Sequence, residues 1–295
     1  MLSKRQIQQR GELEQMLWKF LAVSSASLMF CSCLIYGTVG EIKRKAFTRI
    51  VPITTQRVVE IENSNGSFIV HGERSQVLRL TAEEYAPTAE ILRGVRVLVN
   101  VDSSSIRFQP EYPKPNGFMG LWWQPSSPGV SFEITMPDSI DVKLHTINGN
   151  IDIDGLNNKI SVRTGNGNIE IKGLGSEVSA YSWNGGVKLA GTCGNVDAKA
   201  SNGNIYADLV PKHSCDHINL TTSNGSIYLR IDPLSVGELI AKTGYGGIEI
   251  DLPPKVVTES TRDIELKLSD ANTRLELRTG FGSIRVAALQ TKLQE

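Results

Sequence analysis

The chain has 295 residues, 31 of them basic and 31 acidic, so its formal net charge is +0. No net field draws it towards nucleic acid or an acidic substrate, and with 21 % charged residues it is not a disordered polyelectrolyte. The 27 glycines point to many turns between short strands, and the four cysteines are too few for a disulfide-stapled miniprotein.

Residues 1–19 form an N-terminal tail. Ile7, Leu13, Met16 and Leu17 are partly spaced for a short interfacial helix, and a solvated tail fits as well. Residues 20–39 then run for twenty positions without a charge, about the length that crosses a hydrocarbon core of ~30 Å. The spacing predicts a single transmembrane anchor. A cleaved signal peptide and a lipoprotein signal ending at Cys33 are the competing readings; Glu12 and Glu14 in the leading region and the apolar Leu34-Ile35-Tyr36 after the cysteine weigh against them. Lys4, Arg5, Arg10 and Lys19 precede the span, and Lys43, Arg44, Lys45 and Arg49 follow it, so the charge rule leaves membrane orientation tied. Residues 40–50 are expected to be a linker.

A β-repeat domain is predicted over 51–288, with 142–288 regular and 289–295 a C-terminal tail. Asn-Gly pairs in phase with the repeat begin at Asn65, Asn148, Asn166, Asn184, Asn202 and Asn224, and the steps from Asn148 to Asn202 are each 18 residues. Degenerate copies follow at Tyr245-Gly246 and Phe281-Gly282. Six and four residues before each corner the chain is apolar, as at Val142 and Leu144. Two before, it is mostly Thr or Ser. Three and five after, it is apolar again, as at Ile151 and Ile153. Each flank is therefore a half-buried strand, and the change of parity across Asn-Gly marks a corner with positive-φ backbone. A second Gly-rich corner separates repeats at Gly155 and Gly173. Two all-β architectures fit. In a β-solenoid or β-helix-like stack each 18-residue unit is one coil, and Asn and Thr form ladders. In an antiparallel β-meander each Asn-Gly is a hairpin turn. The constant length favours the solenoid, in which one repeat cannot bury its apolar face alone. Residues 67–147 interrupt the array with irregular strands, expected to close one end of the stack.

The run LHTINGNIDIDGL from Leu144 to Leu156 and its repeat VRTGNGNIEIKGL from Val162 to Leu174 resemble the bacterial putative-adhesin family, as does the opening FTRIVP from Phe47 to Pro52. The resemblance covers roughly 46–288. It implies a β-helix-like fold, an envelope location outside the cytoplasm and no catalytic residues. The Tyr245 and Phe281 copies depart from Asn-Gly, which puts a continuous Asn ladder in doubt there.

Several residues stand out from the repeat. The Pro/Gly-rich stretch 112–128 carries Phe118, Met119, Leu121, Trp122 and Trp123; aromatics on a loop suit an interface with protein or bilayer, or fold back onto the core. Cys193 and Cys215 each lie nine residues before the next corner Asn, so solenoid coils would bring them ~4.8 Å apart, within disulfide reach. His213, Cys215 and His217 alternate, but without a fourth ligand they read as loop rather than a metal site. Outward carboxylates such as Asp152, Asp154, Glu170 and Asp208 read as solubilising rather than as an acid pair. No nucleophile–base set, metalloprotease motif or phosphate-binding loop is present, and Gly165-Asn166-Gly167 lacks the helix that phosphate binding needs. The sequence thus points to a non-catalytic, cofactor-free and metal-free membrane-anchored scaffold or adhesin-like module outside the cytoplasm, binding protein or envelope glycan and no nucleic acid. The alternative is an accessory subunit of a larger membrane complex, such as an energy-transducing one.

Overall fold

A computed structural model describes residues 41–113, 127–173, 175–212, 215–252, 255–257 and 262–289. In chain order its elements are β1 (Lys43–Pro52), β2 (Val58–Asn65), β3 (Phe68–Glu73), β4 (Val77–Ala86), the short helix α1 (Ala89–Gly94), β5 (Arg96–Val101), β6 (Ser105–Glu111), β7 (Gly129–Pro137), β8 (Asp141–Asn148) and β9 (Ile151–Asp154). There follow β10 (Lys159–Asn166), β11 (Ile169–Lys172), β12 (Glu177–Asn184), β13 (Val187–Cys193), β14 (Asn195–Asn202), β15 (Ile205–Pro211), β16 (His217–Asn224) and β17 (Ile227–Ile231). The last are β18 (Glu238–Tyr245), β19 (Ile248–Leu252), β20 (Lys255–Val257), β21 (Asp263–Lys267), β22 (Arg274–Phe281) and β23 (Ile284–Ala288).

The repeats are coils of a parallel stack. In each, the strand before the corner joins one sheet and the strand after it joins the other. β12 pairs in parallel with β10 and β14, in a register that sets Asn184 beside Asn166 and Asn202. β11 likewise pairs with β9 and β13. The meander is thereby overturned: Asn-Gly links two sheets instead of two hydrogen-bonded neighbours. Alternation explains the core. Val142, Leu144, Ile151 and Ile153 all point inward and are almost fully buried, as are their counterparts in the other coils.

The ladders are present. Each corner Asn from Asn148 to Asn224 donates its side-chain amide to the carbonyl of the Asn one coil below, at 2.8 Å, starting from Asn65. Beneath them the buried hydroxyls of Thr146, Thr164, Ser182, Thr222, Thr243 and Thr279 each donate to a corner glycine carbonyl of the neighbouring coil. That satisfies groups whose unpaired burial is costly. The amide ladder ends where the sequence departs from it. Asn224 is followed by Phe281, and Phe281 stacks on Tyr245 with ring centroids 4.9 Å apart. An interior rung both donates and accepts, so Asn184→Ala removes two hydrogen bonds and Asn224→Ala one. At ~0.5–1.5 kcal/mol each, and with the side chains exposed, the expected losses are about 1–2 and about 0.5–1 kcal/mol. Urea titration of the two variants measures them.

At the repeat corners positive φ falls on the glycine, as at Gly66 (129°), Gly246 (148°) and Gly282 (151°). No described residue other than glycine has it, so the corner Asn is not left-handed. The second corner has it as well, at Gly155 (φ 75°) and Gly173 (φ 63°).

Chain order and spatial order differ at both ends. β22–β23, the last coil in sequence, sits between β16–β17 and β18–β19. At the other end β6 and β7 pair in parallel with β2 and β3, forming an additional coil outside the first Asn-Gly copy. Antiparallel strands close each end: β5 on β6, β4 on β7 and β1 on β4 at one, β20 on β19 and β21 on β18 at the other. Such covers remove the open edges on which β-arrays aggregate. The linker expected over 40–50 is corrected: from Lys43 onward the chain is strand β1, with ten residues in register with β4, because Phe47 and Val51 pack against the core. The predicted span at 20–39 lies outside the described residues, among which no helix is long and apolar enough to cross a membrane.

Candidate functional site

The two outward faces carry what the core does not use. On the face of β8, β10, β12 and β14 the side chains three before the corner form the row His145, Arg163, Tyr181, Lys199, one per coil, and those one before it form the row Ile147, Gly165, Trp183, Ser201. Trp183 is 55 % exposed and Ile147 50 %, although both would stabilise the fold if buried. The guanidinium of Arg163 lies 5.4 Å from the centre of the Tyr181 ring, within cation–π range. Trp183 meets the same ring edge-on at 6.5 Å, and the Tyr181 hydroxyl is 3.2 Å from Ser201 Oγ. Three contacts thus fix Tyr181.

Beside this row the side chains five before the corner shrink to Ser161 and Ser179, opening a shallow groove of about 370 Å³ walled by His145, Arg163 and Tyr181. One end is closed by Glu60, which accepts from both Lys143 and Arg107 at 2.8 Å. Those bonds hold its carboxyl below the usual range. The groove floor is interior sheet whose strands are paired on both sides.

The opposite face carries Tyr206 and Tyr228, stacked at 4.9 Å. The basic groups around them are neutralised: Lys188 by Glu170 at 3.1 Å, Arg230 by Asp208, and Arg285 by Glu249 at 2.7 Å. The nearest approach to an acid–base pair is also here. Asp152 is raised by burial first and by the charge of Glu170 second, while Glu170 is lowered by its bonds to Lys172 and Lys188. Only the Glu170 shift comes from ion pairing; that of Asp152 comes from burial and a like charge.

The residues singled out by sequence fall elsewhere. Phe118, Met119, Leu121, Trp122 and Trp123 lie outside the described residues. The corners Asn148, Asn166, Asn184, Asn202 and Asn224 form the ladder at the edge of the rows just described. Cys193 and Cys215 are both buried and both free, and Cys215 Sγ donates to His217 O at 3.8 Å. The neighbouring Cys215 first, and burial second, push the Cys193 thiol up. His213 is outside the described residues; His217 faces Asp197 at 3.5 Å. Among the described residues no group of His, Cys, Asp or Glu is placed to hold a metal. Sequence reasoning missed Trp183 and Tyr181. The available signal was an aromatic in a row that elsewhere holds Ser, Gly or Ile.

No curated protein matches the chain. Similar solved structures include a putative adhesin from Bacteroides fragilis (14 % identity, TM-score 0.42, 82 % of this chain and 97 % of that one). Others are a putative cell adhesion protein from Clostridium sporogenes (12 %, 0.36, 84 % and 100 %) and a putative lipid binding protein from Parabacteroides distasonis (10 %, 0.33, 83 % and 97 %). The Toastrack DUF4097 family matches residues 45–287, nearly the whole span over which the sequence resembles the putative-adhesin family. With two parallel sheets, stacked corners and this match over most of its length, the chain belongs to the Toastrack DUF4097 family.

Proposed function

We propose that this protein is a non-catalytic binding module, anchored to a membrane by residues 20–39, that presents the Tyr181–Trp183 face to an envelope glycan outside the cytoplasm. The observation that carries the reading is the exposed Trp183, held edge-on to a Tyr181 that Arg163 and Ser201 also fix. A rigid aromatic platform on a flat, fully paired sheet suits the C–H face of a sugar ring. It does not suit an added peptide strand, because the backbone groups there are already bonded. The anchor and the extracytoplasmic placement rest on the uncharged run and on the family resemblance. The accessory-subunit reading rests on the 118–123 aromatics.

Equilibrium binding of full-length protein in mild detergent to a panel of soluble oligosaccharides, wild type against Trp183→Ala, tests the proposal. Loss of a stacked aromatic is expected to weaken binding by about 10-fold or more. Equal affinities for the two proteins would sink it. Extraction as a large particle of fixed composition would favour the accessory subunit.

A further inference from the structure

The zero net charge conceals two cations beside Tyr181 that the ion pairs of the face leave over. Most charges there are neutralised within it. Glu60 is taken by Lys143 and Arg107, and Lys159 meets Glu177 at 2.6 Å. Glu276 meets Arg278, and Lys242 meets Asp263 at 2.9 Å. Glu62 lies beside His145 in register, at the far end of the row. Among the described residues two cations of the groove rows meet no carboxylate. Arg163, among the described residues, meets only the Tyr181 ring, and Lys199, exposed, forms no ion pair. They occupy the coils on either side of Tyr181, so two strand spacings put them ~10 Å apart.

We infer that the ligand is an anionic glycan: one sugar ring rests on Tyr181 and Trp183 while carboxylates along the chain are held by Arg163 and Lys199. This rests on the binding reading above and adds the charge to it. The spacing is that of repeating acidic units along the solenoid axis, not of a single ion. Ser161 and Ser179 leave room in the groove and offer hydroxyls to the sugar. A nucleic acid fits poorly, since its affinity comes from many phosphate contacts and only two unpaired cations stand here, with Glu60 and Glu62 at one end. An acidic peptide finds no free sheet edge in the groove.

The test measures binding of the full-length protein in mild detergent to oligogalacturonate and oligomannuronate hexamers, and to the methyl esters of both, which keep the sugar backbone and lose the charge. At least one acid form is expected to bind about tenfold more tightly than its ester. Lys199→Gln should shrink that preference and Arg163→Gln/Lys199→Gln should erase it, the acid form losing far more affinity than the ester, whereas Trp183→Ala should weaken both forms alike. Equal binding of acid and ester overturns the charge assignment and leaves the glycan reading standing. Binding of poly-glutamate as tightly as the uronates overturns the glycan class. Failure of all four oligomers to bind overturns the anionic-glycan inference, and the oligosaccharide panel then decides whether the broader reading falls with it.

Discussion

Leu277→Asp unfolds the domain. Leu277 lies on β22, near the end of the chain, where substitutions are ordinarily tolerated. In this fold that strand is interior: Leu277 is fully buried, with Leu220 on one side and Ala241 on the other in the ladder. A carboxylate there has no partner, and the coil below and the coil above both lose their packing. The loss of buried Leu and the burial of an unpaired charge together cost on the order of 5 kcal/mol or more, comparable with the whole stability of a typical domain, ~5–15 kcal/mol. Leu277→Ala leaves a cavity without the charge and should lose ~2–5 kcal/mol. Arg285→Gln on the exposed face of β23 should change stability by less than ~0.5 kcal/mol. Circular dichroism with urea titration reads all three. A Leu277→Asp protein that unfolds at the wild-type midpoint would mean that the last coil does not occupy the slot between β16 and β18.

The second large effect separates two glycines. A Cβ on Gly225 would sit 2.1 Å from the carbonyl oxygen of Gly203 in the coil below. That contact is against backbone, and the backbone is held by Gly225 N–H donating to Phe281 O at 2.9 Å and by Thr279 donating to Gly225 O at 2.7 Å. Neither side can yield without separating two coils. Gly225→Ala is therefore expected to lose about 3 kcal/mol or more, at the upper end of single substitutions. Gly247, just past the Tyr245-Gly246 corner, would place a Cβ with nothing within 4 Å, so Gly247→Ala should be neutral within ~0.5 kcal/mol. Equal losses at the two positions would contradict the stacked-corner geometry.

Those glycines show what the sequence could and could not carry. The 18-residue period and the alternation around each corner are local and repeated, so coils, core positions and the amide ladder were legible from Asn148 to Asn224. The reason for the glycine was only half legible. Positive φ is a property of one chain segment, whereas the collision with Gly203 belongs to two coils. Spatial order was not legible. The copies at Tyr245 and Phe281 obey one inward template, and nothing in either says which lies inside. The coil of β6 and β7 was hidden because β6 ends at Glu111 and β7 begins only at Gly129, off the repeat spacing, although Ile106, Phe108, Phe132 and Ile134 keep the inward pattern. The binding face was missed for a related reason. Outward rows form across coils, so Arg163, Tyr181 and Lys199, 18 residues apart in sequence, become neighbours only in the stack.

The most direct test of the account is NMR chemical-shift mapping of the full-length protein with an oligouronate bound. The predicted shifts cluster at residues 143–147, 161–165, 179–183 and 197–201, one segment from each of four successive coils on a single face. Shifts centred instead on Tyr206 and Tyr228 of the opposite face would contradict it.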